Sequence, residues 1–464
     1  MAKGYSDVLI GLQYGDEGKA RVIDAIADNY DIIARFNGGP NAGHTIHGKK
    51  GKLVLHQVPS GVFYPKKLLY VGSGCVINLE KLFSEIQAIQ KLGARLEGRL
   101  QISDQISIIQ PHHILIDERI GQIIGTTKNG IGPAYADKAL RMDKERILNI
   151  RLGDILNEEK FFFEAIEKNC KKTFQEYGIP LNTVDVMMKN YKKAFLFIKP
   201  YIQTDSLYLN KLVENGKKIL FEGAQSFMLD VTKGVIPYVT SSNTMAGSAY
   251  VGGDLSPKYH RKTIGVAKVI MSRVGNGPFV SEFGENSEKY CMENGGKAHT
   301  REKESNADIS SLLSSDDPFE IGKALRILGD EYGSTTGRPR RIGMLDLVQL
   351  RYAVMSNGVD ELWINKCDLL TDFIRTKSTS IPIITKYQLN KKTVDYVPSS
   401  NTLSRQIVPT IEHVQGFSQD LSEIRQFKAL PKPLIAFVKM IEKHTGCRIF
   451  GIGIGSKREE YLLR

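Results

Sequence analysis

The most constraining feature of the sequence is a glycine-rich stretch near the N-terminus, residues 11–21, which directly follows the apolar run 8–10. An apolar run, then closely spaced glycines, then apolar residues at helical spacing predict a strand, a tight loop and a helix. The glycines at 11, 15 and 18 let backbone N–H groups approach an anion, and Lys19 and the helix N-terminus add positive charge. The stretch predicts a phosphate-binding loop, with a plain tight turn as the alternative.

This loop departs from the common P-loop motif, which requires glycine at position 13 and serine or threonine at position 20. The chain has Gln13 and Ala20 there, and Asp16 lies inside the loop. The hydroxyl that usually holds Mg²⁺ is therefore missing. Because a carboxylate beside bound phosphates is repelled unless it holds a metal ion or moves a proton, we predict one of these two roles for Asp16.

Composition narrows the class of protein. Of the 464 residues, 41% are hydrophobic and 25% are charged, which is typical of a globular protein. The apolar runs are too short to cross a membrane, and the start of the chain does not resemble a signal peptide. The five cysteines form no C-x-x-C pair, which predicts reduced thiols and a cytoplasmic location.

The net charge of +12 favours anionic ligands, such as nucleotides or nucleic acid, although lysines on solvated helix faces are an alternative explanation. The sequence has no basic stripe interleaved with aromatic residues and no zinc-finger spacing. We therefore expect small anionic ligands as partners, and neither nucleic acid nor a membrane.

Strand and helix patterns alternate along the chain. We predict an α/β fold, with one large, mostly parallel central sheet, helices on both faces and surface insertions. A single domain is expected over residues 1–464, with a polar, weakly patterned surface insertion at about 284–330. The predicted strands are 8–10, 31–36, 68–71, 218–222, 262–270, 361–364 and 447–454, and the clearest predicted helices start at residues 79, 346 and 433.

A second motif follows the predicted strand 361–364. Residues 365–368 read Asn-Lys-Cys-Asp, an N-K-x-D motif that is typical of guanine recognition. The carboxylate of Asp368 can accept hydrogen bonds from guanine N1–H and the 2-amino group, and adenine offers neither donor. The stem of Lys366 can pack along the purine. A chance match of four residues is the alternative explanation.

Two further loops carry reactive or basic groups. His44 lies in a loop of small residues, where it is either a structural histidine or an acid and charge stabiliser. Arg338, Arg340 and Arg341 follow a threonine-glycine turn. Arginines there suit a carboxylate or phosphate ligand, with a basic solvated surface as the alternative.

The phosphate loop, the His44 loop and the arginine loop belong to seven blocks, which in chain order are residues 11–19, 38–45, 125–135, 221–225, 237–244, 273–279 and 335–341. Together the blocks resemble the adenylosuccinate synthetase family, from residue 8 to about residue 458. The resemblance implies a GTP-dependent ligase that joins IMP and L-aspartate through a 6-phosphoryl-IMP intermediate. The products are adenylosuccinate, GDP and phosphate, and the reaction is the first committed step from IMP to AMP.

The resemblance also implies a role for each matching residue. The implied catalytic residues are Asp16, Lys19, His44 and Gln225. The implied GTP-binding residues are Gly15, Glu17, Gly18, Lys19, Lys366, Asp368 and Gly455. The implied IMP-binding residues are Asn41, Thr127, Arg141, Gln225, Thr240 and Arg338. The implied aspartate-binding residues are Thr335, Thr336, Arg338 and Arg340.

The resemblance further implies Mg²⁺ held by Asp16 and the carbonyl of Gly43, and a homodimer in which Arg141 reaches the partner's active site. The implied mechanism uses Asp16 as the base that takes the N1 proton of IMP. His44 and Lys19 neutralise the charge that builds on the leaving β,γ-bridging oxygen.

The sequence departs from the family pattern at several positions. Ala20 and Arg21 replace glycine and lysine, Tyr14 replaces tryptophan, and Asn129 lies where the family has arginine. The usual Ser-x-Gly-Pro-x-Arg pattern near the C-terminus is changed at residues 453–458. The methyl group of Ala20 either crowds a phosphate or is offset by Arg21. These departures indicate a divergent or second-copy enzyme and bear on GTP affinity and on the purine substrate.

Two other functions stay open from the sequence. One is a ligase that acts on a modified purine nucleotide or uses another amino-group donor. The other is a non-catalytic nucleotide-binding paralogue, which would need neither Asp16 nor His44. Because both residues are present, the sequence favours an active enzyme.

Overall fold

The computed structural model describes residues 3–41, 43–48, 51–124, 126–333 and 337–464, with the backbone alone for 44–48, 51–52 and 121–124. The chain divides into two compact units. Unit 1 contains Met1–Leu9, Ile26–Ala224 and Thr240–Arg261, and unit 2 contains Ile10–Ala25, Gln225–Val239 and Lys262–Arg464. The prediction of a single domain stays a prediction.

The sheet strands are short and largely buried. They are β1 (Ser6–Gly11), β2 (Ile32–Arg35), β3 (Leu68–Val71), β4 (Leu100–Ser103), β5 (Ile202–Gln203), β6 (Ile219–Ser226), β7 (His260–Lys268), β8 (Glu361–Asn365), β9 (Arg448–Gly453) and β10 (Tyr461–Leu463). Strands β1, β6 and β7 each contain residues of both units. The predicted strands are therefore confirmed, with small differences at their ends.

Within unit 1 the strand order is β5-β4-β3-β2-β6, and every neighbouring pair is parallel. Within unit 2 the order is β7-β8-β9-β10, and the β9–β10 pair is antiparallel. Lys268 is the register partner of Asn365, so the carboxyl ends of β7 and β8 meet at one edge. The predicted α/β fold with a mostly parallel sheet is confirmed.

The helices alternate with these strands along the chain. They are α1 (Lys19–Ile26), α2 (Leu79–Lys91), α3 (Pro111–Ile124), α4 (Ile131–Leu140), α5 (Leu152–Asn157), α6 (Glu159–Glu176), α7 (Val184–Ile198), α8 (Tyr208–Glu214), α9 (Ser248–Gly252), α10 (Ser287–Met292), α11 (Arg301–Glu304), α12 (Ile309–Leu313), α13 (Pro318–Leu328), α14 (Leu347–Asn357), α15 (Asn401–Arg405) and α16 (Lys432–Thr445).

Smaller strand pairs complete the two units. They are His44–Gly48 with Gly51–Leu55, Val76–Ile77 with Ser107–Ile108, Met142–Asp143 with Arg146–Ile147, and Met271–Arg273 with Arg341–Gly343. Strand Ser380–Leu389 pairs with Leu345–Asp346, Lys392–Val394 and Val408–Gln415.

Helix α2 illustrates how local sequence fixes an element. Asn78 caps its N-terminus, because the side chain accepts a hydrogen bond of 2.9 Å from the backbone N–H of Lys81. Leu82, Ile86 and other apolar residues on one face are fully buried. The helix ends before Gly93, whose φ of 88° suits glycine.

The weakly patterned region 284–330 is folded into helices α10 to α13. Its interior holds an ion pair between Arg326 and Glu304, whose side chains are only 1% and 3% exposed. The hydroxyls of Tyr290 and Tyr332 also donate to Glu304, at 2.8 and 2.5 Å. Since charged and polar groups fill part of this interior, hydrophobic periodicity is a poor guide to its helices. Whether the region is an insertion stays a prediction.

Candidate functional site

The predicted phosphate loop lies in unit 2, between the end of β1 and the start of α1. Gly11 has no room for a side chain, since a Cβ there would lie 2.0 Å from the hydroxyl oxygen of Ser226. Gly15 and Gly18 have φ values of 98° and 87°, and Asp16 has φ 59°. A non-glycine residue held at positive φ inside a glycine-rich turn is a strained position of the kind found at functional sites.

The side chain of Glu17 is buried beneath this loop and is only 1% exposed. One carboxylate oxygen accepts from the backbone N–H groups of Gln13 and Gly15, at 3.2 and 2.9 Å. The other accepts from Lys19 Nζ at 2.9 Å and from the Ser226 hydroxyl at 2.6 Å. Glu17 therefore shapes the loop and neutralises Lys19, so its carboxylate is a structural group here.

The adjacent acid, Asp16, has the opposite environment. Its side chain is 41% exposed, and its Oδ2 lies 2.9 Å from the Nη2 of Arg340. The structure thus brings the predicted catalytic acid together with an arginine of the predicted aspartate loop. An exposed carboxylate beside a glycine-rich turn is free to meet a ligand in a way that Glu17 is not.

Arg340 connects Asp16 to a buried cluster of charges around Glu331. The Glu331 carboxylate is fully buried and accepts from Arg340 Nη1 at 2.7 Å and from Lys268 Nζ and Lys366 Nζ at 2.8 Å each. Burial opposes ionisation of Glu331, but these three cations hold its pKa well below the ordinary value. Burial lowers the pKa of Lys268, and Glu331 opposes that change. The cluster fixes Arg340 and Lys366 through one shared anion.

Neither Glu331 nor Lys268 was predicted as a site residue. Two features of the sequence point to these residues. Lys268 ends the otherwise apolar strand 264–268, and three residues separate Glu331 from the threonine-glycine turn. A charged residue at a buried strand end requires a buried partner. Sequence spacing could not identify the partner, because Lys268 and Glu331 are far apart along the chain.

The predicted guanine reader lies at the carboxyl end of β8. Asn365 donates to the carbonyl of Glu17 at 2.6 Å, which ties this strand end to the phosphate loop. Lys366 adopts φ 63° and donates to the Gly329 carbonyl as well as to Glu331. Burial raises the pKa of Asp368, and its Oδ1 is buried with no hydrogen-bond partner among the described residues.

Two more predicted residues belong to unit 2. Gln225 has φ 54°, and its Oε1 is buried without a hydrogen-bond partner in the described part of the chain. A buried, unsatisfied amide oxygen on strained backbone indicates a group held for a ligand. The side-chain carbons of Arg338 lie over Gly296, where an added Cβ would be 2.8 Å from Arg338 Cδ.

The other predicted IMP-binding residues belong to unit 1. The Oδ1 of Asn41 lies 3.4 Å from the Gly39 backbone N–H, and Thr240 is partly exposed. Thr127 is exposed and accepts from Asn129 Nδ2 at 3.1 Å. Asn129, one of the family departures, also accepts from Lys81 Nζ. The asparagine therefore positions Thr127 by hydrogen bonding, where an arginine would add charge.

Arg141 follows helix α4 with φ 67°, and its side chain is exposed. Three other predicted site residues are described by the backbone alone or lie outside the described residues. Thr335 and Thr336 lie outside the described residues, and the strand that begins at His44 is described by its backbone alone. Gly43 is described and partly exposed. The assigned roles of these residues stay predictions.

The remaining departures from the family pattern lie in unit 2. Ala20 is 9% exposed. Gly453 lies against Asn365, since a Cβ there would be 2.4 Å from Asn365 Oδ1. A Cβ on Gly455 would lie 2.2 Å from Glu460 Oε2, so a side chain there would displace the Glu460 carboxylate. Tyr14 is buried beneath the guanidinium of Arg273, 4.6 Å from its ring centroid.

A group of His112, His113 and Asp137 in unit 1 has metal-like spacing, with one ligand atom from each residue within 4.8 Å of the others. Its hydrogen bonds argue against a metal. His113 Nδ1 accepts from the Gln110 backbone N–H at 3.1 Å, so the ring proton is on Nε2, which lies 2.9 Å from Asp137 Oδ2. A protonated Nε2 cannot ligate a metal ion. This group is explained by a structural hydrogen-bond network.

The side chains of all five cysteines are buried and unpaired. Among the described residues, no helix is both long and apolar enough to cross a membrane.

Comparison with known proteins gives a consistent result. The sequence matches the family model for adenylosuccinate synthetase over residues 8–462. It is 44% identical to adenylosuccinate synthetase 2 from Cupriavidus pinatubonensis, over 99% of this chain and 97% of that relative. It is 36% identical to the adenylosuccinate synthetase from Caldicellulosiruptor bescii, over 98% of both chains.

Two solved structures are also similar. The fully ligated adenylosuccinate synthetase from Plasmodium falciparum has a TM-score of 0.83 and 31% identity, and the match covers 99% of this chain and 100% of that chain. The succinoaminodeoxyadenylate synthetase from cyanophage S-2L has a TM-score of 0.59 and 17% identity, and the match covers 100% of this chain and 96% of that chain. The second likeness concerns the fold alone.

Proposed function

The chain belongs to the adenylosuccinate synthetase family, and from this premise we propose how its residues join IMP and L-aspartate at the expense of GTP. The observation that carries the proposal is the ion pair between Asp16 and Arg340, at 2.9 Å. It places an exposed carboxylate of the glycine-rich loop beside an arginine suited to a dicarboxylate substrate. The proposed ligation requires a base for IMP and a binding group for L-aspartate, and we assign these roles to Asp16 and Arg340.

In the first step Asp16 takes the N1 proton of IMP, which makes O6 nucleophilic. O6 attacks the γ-phosphorus of GTP, the bond from that phosphorus to the β,γ-bridging oxygen breaks, and GDP leaves. Lys19 and His44 neutralise the charge that develops on the leaving oxygen. Lys19 is well placed for this, because Glu17 and Ser226 hold its ammonium group at the start of α1.

In the second step the amine of L-aspartate attacks C6 of 6-phosphoryl-IMP and loses a proton, and inorganic phosphate leaves with the original O6. Arg338 and Arg340, with Thr335 and Thr336, bind the aspartate carboxylates. Asn41, Thr127, Thr240 and Gln225 bind IMP. Support for Gln225 comes from its strained backbone and its buried, unsatisfied Oε1.

The residues present fit Mg²⁺, since a partly exposed carboxylate and a backbone carbonyl are the hard oxygen donors that this ion prefers. Asp16 and the Gly43 carbonyl would hold it. When bound, the ion would neutralise charge on the β- and γ-phosphates. This arrangement accounts for the missing P-loop hydroxyl at Ala20.

On the guanine side, the carboxylate of Asp368 accepts from N1–H and the 2-amino group. The support is its buried Oδ1, which has no partner among the described residues. Gly15, Gly18 and the backbone of Glu17 line the phosphates, and Lys366 and Gly455 line the base.

We also propose a cytoplasmic homodimer in which Arg141 enters the partner's IMP site. Its exposed position after α4 supports this role, and the unpaired cysteines fit a reducing compartment. Light scattering of the purified chain measures the oligomeric state.

The test is an assay of the purified protein with IMP, L-aspartate, GTP and Mg²⁺, following the absorbance of adenylosuccinate. We expect product only when all three substrates are present. Binding of guanine nucleotide without any product would support the non-catalytic alternative and contradict the proposal.

A further inference from the structure

Arg21, on helix α1, makes an unusual set of hydrogen bonds to the loop that follows β9. Its guanidinium donates to the backbone carbonyls of Gly455, Lys457 and Glu460, the last two at 2.6 and 2.5 Å. A planar fork with several N–H donors can reach three carbonyls at once, which a lysine ammonium cannot do with the same geometry.

The loop is tied to the same helix a second time. Arg458 pairs with Asp24, at 2.9 Å between Nη2 and Oδ1. Asp24 lies three residues after Arg21, so both contacts are on one face of α1. Within the loop, Glu460 Oε2 accepts from the Lys457 backbone N–H at 2.8 Å, and the Glu460 carbonyl accepts from Ile454 N–H at 2.9 Å. Loop 455–460 is therefore fixed to the helix that begins at Lys19.

This loop borders the guanine reader. It follows β9, which pairs with β8, and Gly453 at the end of β9 lies directly against Asn365. The pKa of Asp368 is raised by burial and lowered in turn by Lys366 and Arg21, so the charge of Arg21 acts on the carboxylate that reads the base. Arg21 thus lies between the phosphate loop and residues 365–368, the base-reading loop.

Two departures from the family pattern therefore form one feature. The resemblance to the family implies a lysine at position 21 and a different pattern at residues 453–458, where this chain has Arg21 and Gly-Ile-Gly-Ser-Lys-Arg. The structure joins these changes through the hydrogen bonds of the guanidinium.

We infer that Arg21 is a positioning residue for guanine recognition, because it holds loop 455–460 in place beside Asp368. This inference rests on the proposed binding of GTP. Arg21 acts on the base through the loop and does not touch the reacting atoms. Its loss weakens nucleotide binding and base discrimination and leaves the chemical step unchanged.

The test compares Arg21→Met, which keeps most of the side-chain length but removes every donor, with Arg21→Lys, which restores the charge. Arg425→Met is the matched control, since Arg425 also donates to backbone carbonyls, of Ser422 and Ile424, in another loop. Kinetics are measured with GTP and with inosine triphosphate, which lacks the 2-amino group, and GDP affinity is measured by calorimetry.

For Arg21→Met we expect the KM for GTP and the Kd for GDP to rise about tenfold, as for the loss of hydrogen bonds from a charged group. The preference for GTP over inosine triphosphate should fall severalfold, with kcat and the KM values for IMP and L-aspartate unchanged. The KM for GTP and the Kd for GDP of Arg21→Lys should lie between those of Arg21→Met and the wild type. The values of Arg425→Met should match those of the wild type.

The inference is overturned if Arg21→Met lowers only the melting temperature, or lowers kcat with an unchanged KM for GTP. If the wild type binds GDP but forms no product, the proposed function fails and the calorimetric comparison still decides the role of Arg21. A wild type that binds no guanine nucleotide overturns both.

Discussion

In unit 2 the phosphate loop contains a buried carboxylate and the base-reading loop contains a partly buried one, and the two differ in how they are satisfied. Glu17 accepts hydrogen bonds from two backbone N–H groups, Lys19 and Ser226. Asp368 has one buried oxygen with no partner among the residues described. A buried polar atom without a partner is costly. The first carboxylate is satisfied within the protein, and we propose that the second binds the guanine base.

The comparison extends to Asp16, which is adjacent to Glu17 in sequence and yet 41% exposed on its side chain. We therefore propose separate roles for these neighbouring acids, a structural role for Glu17 and a chemical role for Asp16. Substitutions at these positions test this division.

Asp16→Asn keeps the shape of the side chain but cannot take the N1 proton of IMP. We expect kcat to fall by at least ~10³-fold, as for loss of a main proton-transferring group. Steady-state kinetics of the purified variant measure it. The control is Asp28→Asn, an exposed aspartate, which should match the wild type. Activity within tenfold of the wild type would remove Asp16 from the mechanism.

Glu17→Gln leaves Lys19 buried without an anionic partner. We expect the free energy of unfolding to fall by ~3 kcal/mol, the cost of breaking a buried ion pair. Chemical denaturation of the variant measures the change, with the exposed Glu423→Gln as a control that should have little effect. Unchanged stability, together with a large loss of GTP binding, would mean that Glu17 serves the ligand as Asp368 does.

Asp368→Asn should show the reverse pattern, since the buried Oδ1 of Asp368 has no hydrogen-bond partner among the described residues to lose. We expect a loss of ~2 kcal/mol or more in kcat/KM for GTP, because a charged bidentate acceptor is lost. Stability should not fall. Asp372→Asn, which pairs with Arg375, is the matched control. A wild-type enzyme that uses ATP as well as GTP would show that the guanine assignment is wrong.

Ala20→Gly tests the smallest difference, the methyl group in the phosphate loop. If the methyl crowds a phosphate, the KM for GTP falls more than about threefold with kcat unchanged, as for strain removed from uniform binding. We expect no such fall, because Arg21 anchors the helix and glycine adds entropy to the unfolded chain. GTP titrations of both forms decide between the two.

Local patterns predicted most of the fold. The apolar strands and the helices that start near residues 79, 346 and 433 follow from hydrophobic spacing and turn residues. The helices of region 284–330 could not be predicted, because the ion pair of Glu304 and Arg326 occupies part of its interior. Hydrophobic periodicity does not detect buried charges.

The roles assigned to the candidate site residues stay predictions, and the groups that hold these residues in place were not predicted from the sequence. Asp16, Lys366 and Arg340 come from motifs, whereas Glu331, which joins the last two, is an ordinary acid in the sequence. Likewise, the sequence shows Arg21 only as a departure from the family pattern, and the structure shows that its guanidinium donates to carbonyls of loop 455–460. Pairings over such distances along the chain depend on the fold.

In the proposed reaction, IMP O6 attacks GTP before the amine of L-aspartate reacts. IMP labelled with a heavy oxygen isotope at O6 tests it directly, by mass spectrometry of the phosphate released during ligation. We predict that the label leaves C6 and appears in inorganic phosphate, one atom for each adenylosuccinate formed. Label found in water, with unlabelled phosphate, would contradict the account.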